Sequence, residues 1–167
     1  MSIKKISKDL NSSIYFLTFT VKKWYYLFDR HDRWNIISES LCYCQEHKEL
    51  KLYGFVFMLN HVHLIVESPD VAGFVRDFKR HTSREIHKNI VATEPNIEKL
   101  FAGIDGTYSI WQNTNMPILL ESEKVFQQKM NYILENPVRK NYVVDASHWY
   151  WSSANESCEL KTDDVNE

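Results

Sequence analysis

Residues 53–67 read Tyr-Gly-Phe-Val-Phe-Met-Leu-Asn-His-Val-His-Leu-Ile-Val-Glu, and no other stretch of the 167-residue chain limits its fold as strongly. Two apolar runs rich in β-branched and aromatic residues flank Leu59-Asn60, which predicts strands over about 51–58 and 61–68 joined in a hairpin. A strand points successive side chains to opposite faces, so His61 and His63 share one face while Val62, Leu64 and Val66 share the other. Two imidazoles held at a fixed separation on a rigid strand are half of a metal site. Two half-buried sheet histidines would give the same spacing, so the remainder of the chain has to separate the two readings.

Residues 14–21 are β-branched and aromatic and predict a first strand. Trp34, Ile37, Leu41 and Cys44 recur at spacings of three and four, the mark of a helix over 31–48 with one apolar stripe. Asp70 is suited to N-cap a helix over 71–91. A short strand is expected at 108–111 and a last helix over 123–139, followed by the aromatic segment His148-Trp-Tyr-Trp151. Strand, helix, strand, strand, helix is the order of an α+β fold of ferredoxin-like type, an antiparallel sheet packed on helices.

The length suits one domain, placed at residues 1–153. Residues 154–167 carry a net charge of −4, which leaves +2 on the body out of the total of −2; this tail is expected to be acidic and loosely ordered. No stretch approaches the length of a membrane span and the start has no apolar leader, so the expected location is the cytoplasm with no membrane partner. Cys42, Cys44 and Cys158 cannot all pair and read as reduced thiols.

On the last helix, Phe126, Met130, Ile133 and Leu134 share one arc, whereas Tyr132 and Asn136 fall on the other side with Gln128 and Lys129. One helical turn separates Tyr132 from Asn136, so a phenol and an amide oxygen can converge, with Pro137 expected to bend the helix end. A surface tyrosine beside a helix-ending Asn-Pro would look the same. On the middle helix Phe74, Val75, Phe78, Thr82 and Ile86 form the docking arc, and Arg76, Arg80, Ser83, Arg84 and His87 the opposite one, with a net charge of +3 over 71–91. Such an arc suits phosphate contacts, or plain solvation. Lys4, Lys5, Lys8, Lys22 and Lys23 make a second basic region, and Trp149, Tyr150 and Trp151 read as core.

His61-Val62-His63 and Asn131-Tyr-Ile-Leu-Glu-Asn-Pro-Val-Arg139 together resemble the HUH single-strand DNA transesterases. More narrowly, they resemble the IS200-like single-tyrosine (Y1) transposases, and among these the REP-associated tyrosine transposases. The likeness extends to Phe78-Lys79, Thr82-Ser83, Trp111-Gln112, Gln128-Lys129 and Trp151-Ser152-Ser153, in order, over roughly residues 14–153. It implies that His61, His63 and Asn136 ligate a divalent Mg²⁺ or Mn²⁺ and that Tyr132 is the nucleophile. A phenol ionises only near pH ~10 and needs neighbouring positive charge to attack a phosphate at neutral pH.

The implied reaction gives a 5′-phosphotyrosine and a free 3′-OH, and the implied partner is single-stranded or hairpin DNA. Lys79 and Arg139 join the basic arc as expected DNA contacts. The resemblance leaves room for a homodimer with Tyr132 acting across subunits. Two departures stand out: Leu134 where relatives have histidine, and Asn141 where they place glycine, a residue that asparagine replaces well at a left-handed position. Two other readings stay open, a hairpin-binding protein of the same fold with impaired chemistry and a metal-dependent phosphodiesterase that uses water and gives Tyr132 no role.

Overall fold

A computed structural model describes residues 13–113 and 117–165. In chain order it contains β1 (Ile14–Thr20), α1 (Arg33–His47), β2 (Lys51–Phe57), β3 (His61–Glu67), α2 (Val71–Thr93), β4 (Ile118–Leu119), α3 (Glu123–Leu134) and α4 (Asn136–Arg139). The sheet order is β2-β3-β1-β4 and every pairing is antiparallel. This is the expected ferredoxin-like arrangement. β4 had no sequence signal: two residues that pair Leu119 with Tyr15 and Ile118 with Phe16 are too few for a periodicity. The strand expected at 108–111 is instead a pair of isolated bridges, Ala102 to Tyr108 and Val21 to Trp111.

The two faces of the sheet are covered by different layers. Leu17, Phe19, Leu52, Phe55, Phe57, Val62, Leu64 and Val66 face a large core with Ile37 and Leu41 of α1 and Phe74, Phe78, Ile86 and Ile90 of α2. Phe16, Tyr53, Val56, Met58 and Ile65 face a smaller core with Ile133 of α3, packed about by Phe126, Met130 and Leu134. A β-bulge keeps β2 in phase. Leu52 pairs with Val66 and Gly54 with Ile65, so Tyr53 is an extra residue. It restores the alternation that sends Phe55 and Phe57 to the large core.

α2 and α3 begin where side chains can satisfy free backbone N–H groups. The Asp70 carboxylate accepts from Gly73 N at 2.9 Å, and the Ser122 hydroxyl accepts from Val125 N at 3.2 Å. The single helix expected over 123–139 is broken at Glu135, which separates α3 from α4. Pro137 has no N–H to donate to the preceding turn, so the ladder stops and the proline opens the next turn, where its missing donor costs nothing. Asn141 takes the left-handed conformation expected of it, with φ 59°.

The segment after residue 153 is not a loose tail. Cys158 and Leu160 are buried in the large core, and the Asp163 carboxylate accepts from Leu52 N at 2.8 Å. Glu156, Glu159 and Asp164 are exposed on the outer side of a packed strap, while Asp163 turns inward to the sheet, an arrangement that composition alone cannot reveal. Just before it, Ser153 N donates to Phe55 O at 3.0 Å and Phe57 N to Trp151 O at 2.8 Å, which occupies the edge of β2. Trp151 stacks on Phe57 with ring centroids 5.6 Å apart, so Trp149 and Trp151 serve the cores as expected, while Tyr150 is exposed. Lys4, Lys5 and Lys8 lie outside the described residues.

Gly54 sits directly under α3. A Cβ there would stand 2.6 Å from Met130 Sδ, 2.8 Å from Met130 Cε and 3.1 Å from Ile133 Cδ1. Gly54→Ala should be mild, because the flexible end of Met130 can swing aside. Gly54→Val has to lift α3, and should cost about 1–3 kcal/mol in urea unfolding; an unchanged midpoint would mean that α3 is not seated on the bulge.

Candidate active site

His61 and His63 project from β3 on the face that α3 covers, with ring centroids 4.8 Å apart. Each Nδ1 already has a partner. Thr18 Oγ1, opposite His63 on β1, lies 2.9 Å from His63 Nδ1, and Asn60 Oδ1 lies 2.8 Å from His61 Nδ1. The Asn60 amide is oriented at its other end, where Nδ2 donates to the Trp24 carbonyl at 3.0 Å. An amide oxygen only accepts, so His61 Nδ1 holds the proton and Nε2 keeps its lone pair. Such outer hydrogen bonds fix the tautomer and aim of a metal-binding imidazole. Asn60 and Thr18 were not singled out by motif or spacing, although the strand pairing places Thr18 across from His63.

Burial holds both rings neutral. It pushes His61 down to about 4, with the charge of Lys140 adding, and His63 down to about 3, with His61, Arg139 and Lys129 adding. The neutral imidazole is the form that ligates a metal.

Tyr132 stands over this pair within the same chain. Its ring centroid is 5.5 Å from that of His63 at an interplanar angle of 70°, and Phe16, stacked on His63 at 5.3 Å, meets the tyrosine ring edge-on at 6.2 Å. The tyrosine is 45 % exposed, consistent with its place off the apolar arc. Two cations flank it. Lys129 Nζ is 5.6 Å from the ring centroid and the Arg139 guanidinium 4.4 Å, while Arg139 Nη2 donates to the Tyr132 carbonyl at 2.5 Å and ties α4 back to α3. Asn136 is 4 % exposed at the start of α4, the turn whose Arg139 and following Lys140 bear on the two histidines. The two residues fall on either side of the helix break, Tyr132 half exposed at the end of α3 and Asn136 buried at the start of α4.

Two neutral imidazoles and a buried asparagine suit a divalent ion that prefers nitrogen and oxygen donors. Among the described residues no group of three or more His, Cys, Asp or Glu offers a competing metal site.

The residues expected on the basic arc of α2 are not gathered here, because α2 belongs to the opposite layer. Arg76 and Arg80 are exposed and pair with Asp77 at 3.0 and 2.7 Å, and Arg84 pairs with Glu85 at 3.4 Å. His87 Nε2 donates to the Glu98 carboxylate at 2.8 Å and the ring stacks on Tyr108 with centroids 3.6 Å apart. Ser83 is a correction: it is buried, and its hydroxyl accepts from Ile110 N at 3.2 Å. Lys79 is half-buried and donates to Gln112 O at 3.1 Å, and the Thr82 hydroxyl accepts from Trp111 Nε1 at 2.9 Å. The Phe78-Lys79, Thr82-Ser83 and Trp111-Gln112 motifs therefore form one structural clasp, which holds residues 110–112 against α2. A groove of about 940 Å³ between α1 and α2 carries Glu39, Glu49, Asp70, Asp77 and Glu85 on its lining, a poor surface for a polyanion.

Comparison with known proteins supports a transposase-like, DNA-processing role. Residues 9–102 match the family model described as IS200-like transposase. The chain belongs to the IS200-like transposase family. His61 and His63 lie inside the matched segment and Tyr132 and Asn136 beyond it. Across the whole chain the fold is similar to a REP-associated tyrosine transposase solved bound to a REP hairpin, at 16% identity and a TM-score of 0.66, covering 100% of this chain and 94% of that one. It is also similar to a candidate transposase from Deinococcus radiodurans R1, at 19% identity and a TM-score of 0.50, covering 80% of this chain and 97% of that one. No curated protein matches. Among the described residues no helix is long and apolar enough to cross a membrane.

The histidine environment predicts a pH signature. Both values in the folded state lie below the ordinary 6.5, so the folded protein binds fewer protons than the unfolded chain as pH falls. The stability contributed by keeping the rings neutral is complete above pH ~6.5 and is lost progressively towards the folded values. Melting temperature should therefore drop more steeply between about pH 7 and about pH 4 in the wild type than in a His61→Ala/His63→Ala variant. Parallel curves would mean that the rings are not held neutral by burial.

Proposed function

We propose that this transposase-family protein is a metal-dependent transesterase acting on single-stranded DNA beside a hairpin. The observation that carries the proposal is the meeting, in one chain, of an exposed tyrosine with two neutral histidines and two cations. His61 and His63 would hold a Mg²⁺ or Mn²⁺ through Nε2, with Asn136 as the third ligand. Such an ion, when bound, polarises the scissile phosphate.

The chain's own residues account for the rest. The Tyr132 hydroxyl attacks the phosphorus and loses its proton. The bond from phosphorus to the 3′ oxygen breaks, and that oxygen takes up a proton as it leaves as a 3′-OH. A 5′-phosphotyrosine remains. Arg139 and Lys129 lie where they balance the charge that builds on the phosphate oxygens, a form of stabilisation worth most when the donors are already in place. A DNA 3′-OH can reverse the step and rejoin strands without ATP, because the ester keeps the energy of the broken bond. Arg76, Arg80 and Arg84, in the other layer, would contact only DNA that passes beyond the sheet, and Lys79 and His87 are engaged within the fold.

Leu134 supports a second reading. It packs against the smaller core at the position where the family resemblance implies a histidine, so packing would stand there in place of a polar group. The protein would then bind hairpin DNA without cutting it.

A denaturing gel with a labelled hairpin carrying single-stranded flanks separates these readings. With Mn²⁺ present the wild type should give a covalent protein–DNA adduct, EDTA should remove it, and Tyr132→Phe should abolish it while DNA binding is kept. Arg139→Ala should slow adduct formation by about 10²-fold. Binding without any adduct favours the Leu134 reading, and cleavage without adduct would make water the nucleophile.

A further inference from the structure

We infer that Trp24, on the turn just ahead of Tyr26, is a stacking platform for an unpaired base of the DNA strand next to the candidate site; the inference rests on the DNA-processing reading of that site. After β1 the chain turns through Lys22–Trp24, and Lys23 and Trp24 both take left-handed backbone conformations, φ 61° and 55°. Two consecutive residues with side chains rarely accept that geometry. The turn nevertheless presents its indole to solvent, 63 % exposed. An indole held out of the core on a strained turn does nothing for folding, and strain of this kind gathers at ligand-binding places.

The turn is wired to the site by a single side chain. The Asn60 amide donates to the Trp24 carbonyl at 3.0 Å through Nδ2 and lies 2.8 Å from His61 Nδ1 through Oδ1. A second segment brings in a further ring. Tyr142 N donates to Pro137 O at 3.0 Å, the ring stacks on Trp149 with centroids 5.5 Å apart, and its hydroxyl comes near that of Tyr26. Tyr26 and Tyr142 are exposed like Trp24.

Charge at this end of the sheet suits a nucleic-acid strand. Lys23 is exposed on the turn, and Lys140 precedes Tyr142 and bears on His61. Asp29, the carboxylate whose charge reaches Tyr142, is neutralised by Arg30 at 3.0 Å. Exposed aromatic rings interleaved with cations are the means by which proteins hold single strands, because every base has a face to stack and only an unpaired base can offer it. The ligand class is therefore the single-stranded segment beside the phosphate at Tyr132, not the paired stem of a hairpin.

The test is fluorescence anisotropy in EDTA with three fluorescein-labelled probes: a mixed-sequence single strand, that strand annealed to its complement, and the same backbone with abasic positions throughout. Trp24→Ala should weaken binding of the single strand by about 5- to 100-fold. Binding of the abasic strand should not change, and Trp24→Phe should keep most of the affinity. The exposure of Trp24 means that the variant should melt with the wild type. Unchanged affinity of Trp24→Ala for the single strand overturns the platform alone, as does an equal loss on the abasic strand, which would point to a displaced turn. Wild-type protein that binds none of the probes overturns the DNA-processing reading and the platform with it.

Discussion

The alternation along β3 divides the molecule into a packing side and a chemical side, and the other elements are arranged around that division. Val62, Leu64 and Val66 are fully buried against α1 and α2, each contributing about 1.5–3 kcal/mol of burial energy. That apolar face fixes the register, since a slip of one residue would turn all three to the other side. With the register fixed, His61 and His63 have to emerge under α3. Burying an imidazole without a partner is costly. The Thr18 hydroxyl beside His63 and the Asn60 amide beside His61 offset that cost, and the amide leaves the Nε2 lone pair of His61 free.

α3 completes the site because it can approach closely. Gly54 and the bulge at Tyr53 leave room for Met130 and Ile133 against the sheet, and the seated helix presents Tyr132 at the edge of the His63 ring. The break at Glu135, ahead of Pro137, then turns the chain so that Arg139 folds back over the tyrosine. Packing, helix termination and local charge thus converge on one half-exposed phenol.

Most of the fold was legible because its elements are periodic. The strand hairpin, both long helices and the Asp70 cap follow from spacing and from one capping residue, and the shared face of His61 and His63 follows from strand geometry alone. β4 was not legible, since Ile118–Leu119 has no pattern of its own and forms only by adding to β1. Ser83 and Lys79 were misplaced because a helical wheel gives an angle and not what packs against it; residues 110–112 cover that side of α2. The final segment was misjudged from its charge, although Cys158 and Leu160 carry the apolar contacts that hold it down. Asn60 and Lys140 were overlooked because their roles come from long-range contacts with the Trp24 turn and with His61.

The central claim is that one chain supplies the whole site, since the Tyr132 ring lies 5.5 Å from the His63 ring of the same molecule. The most direct measurement mixes two variants, Tyr132→Phe and His61→Ala/His63→Ala, after co-refolding, and follows cleavage of a hairpin substrate with single-stranded flanks. Each variant retains what the other lacks. A site built within one chain predicts that the mixture stays as inactive as either variant alone, while the wild type cleaves. Recovery of cleavage in the mixture would show that the tyrosine acts on the histidine face of a neighbouring subunit, and would contradict the arrangement described above.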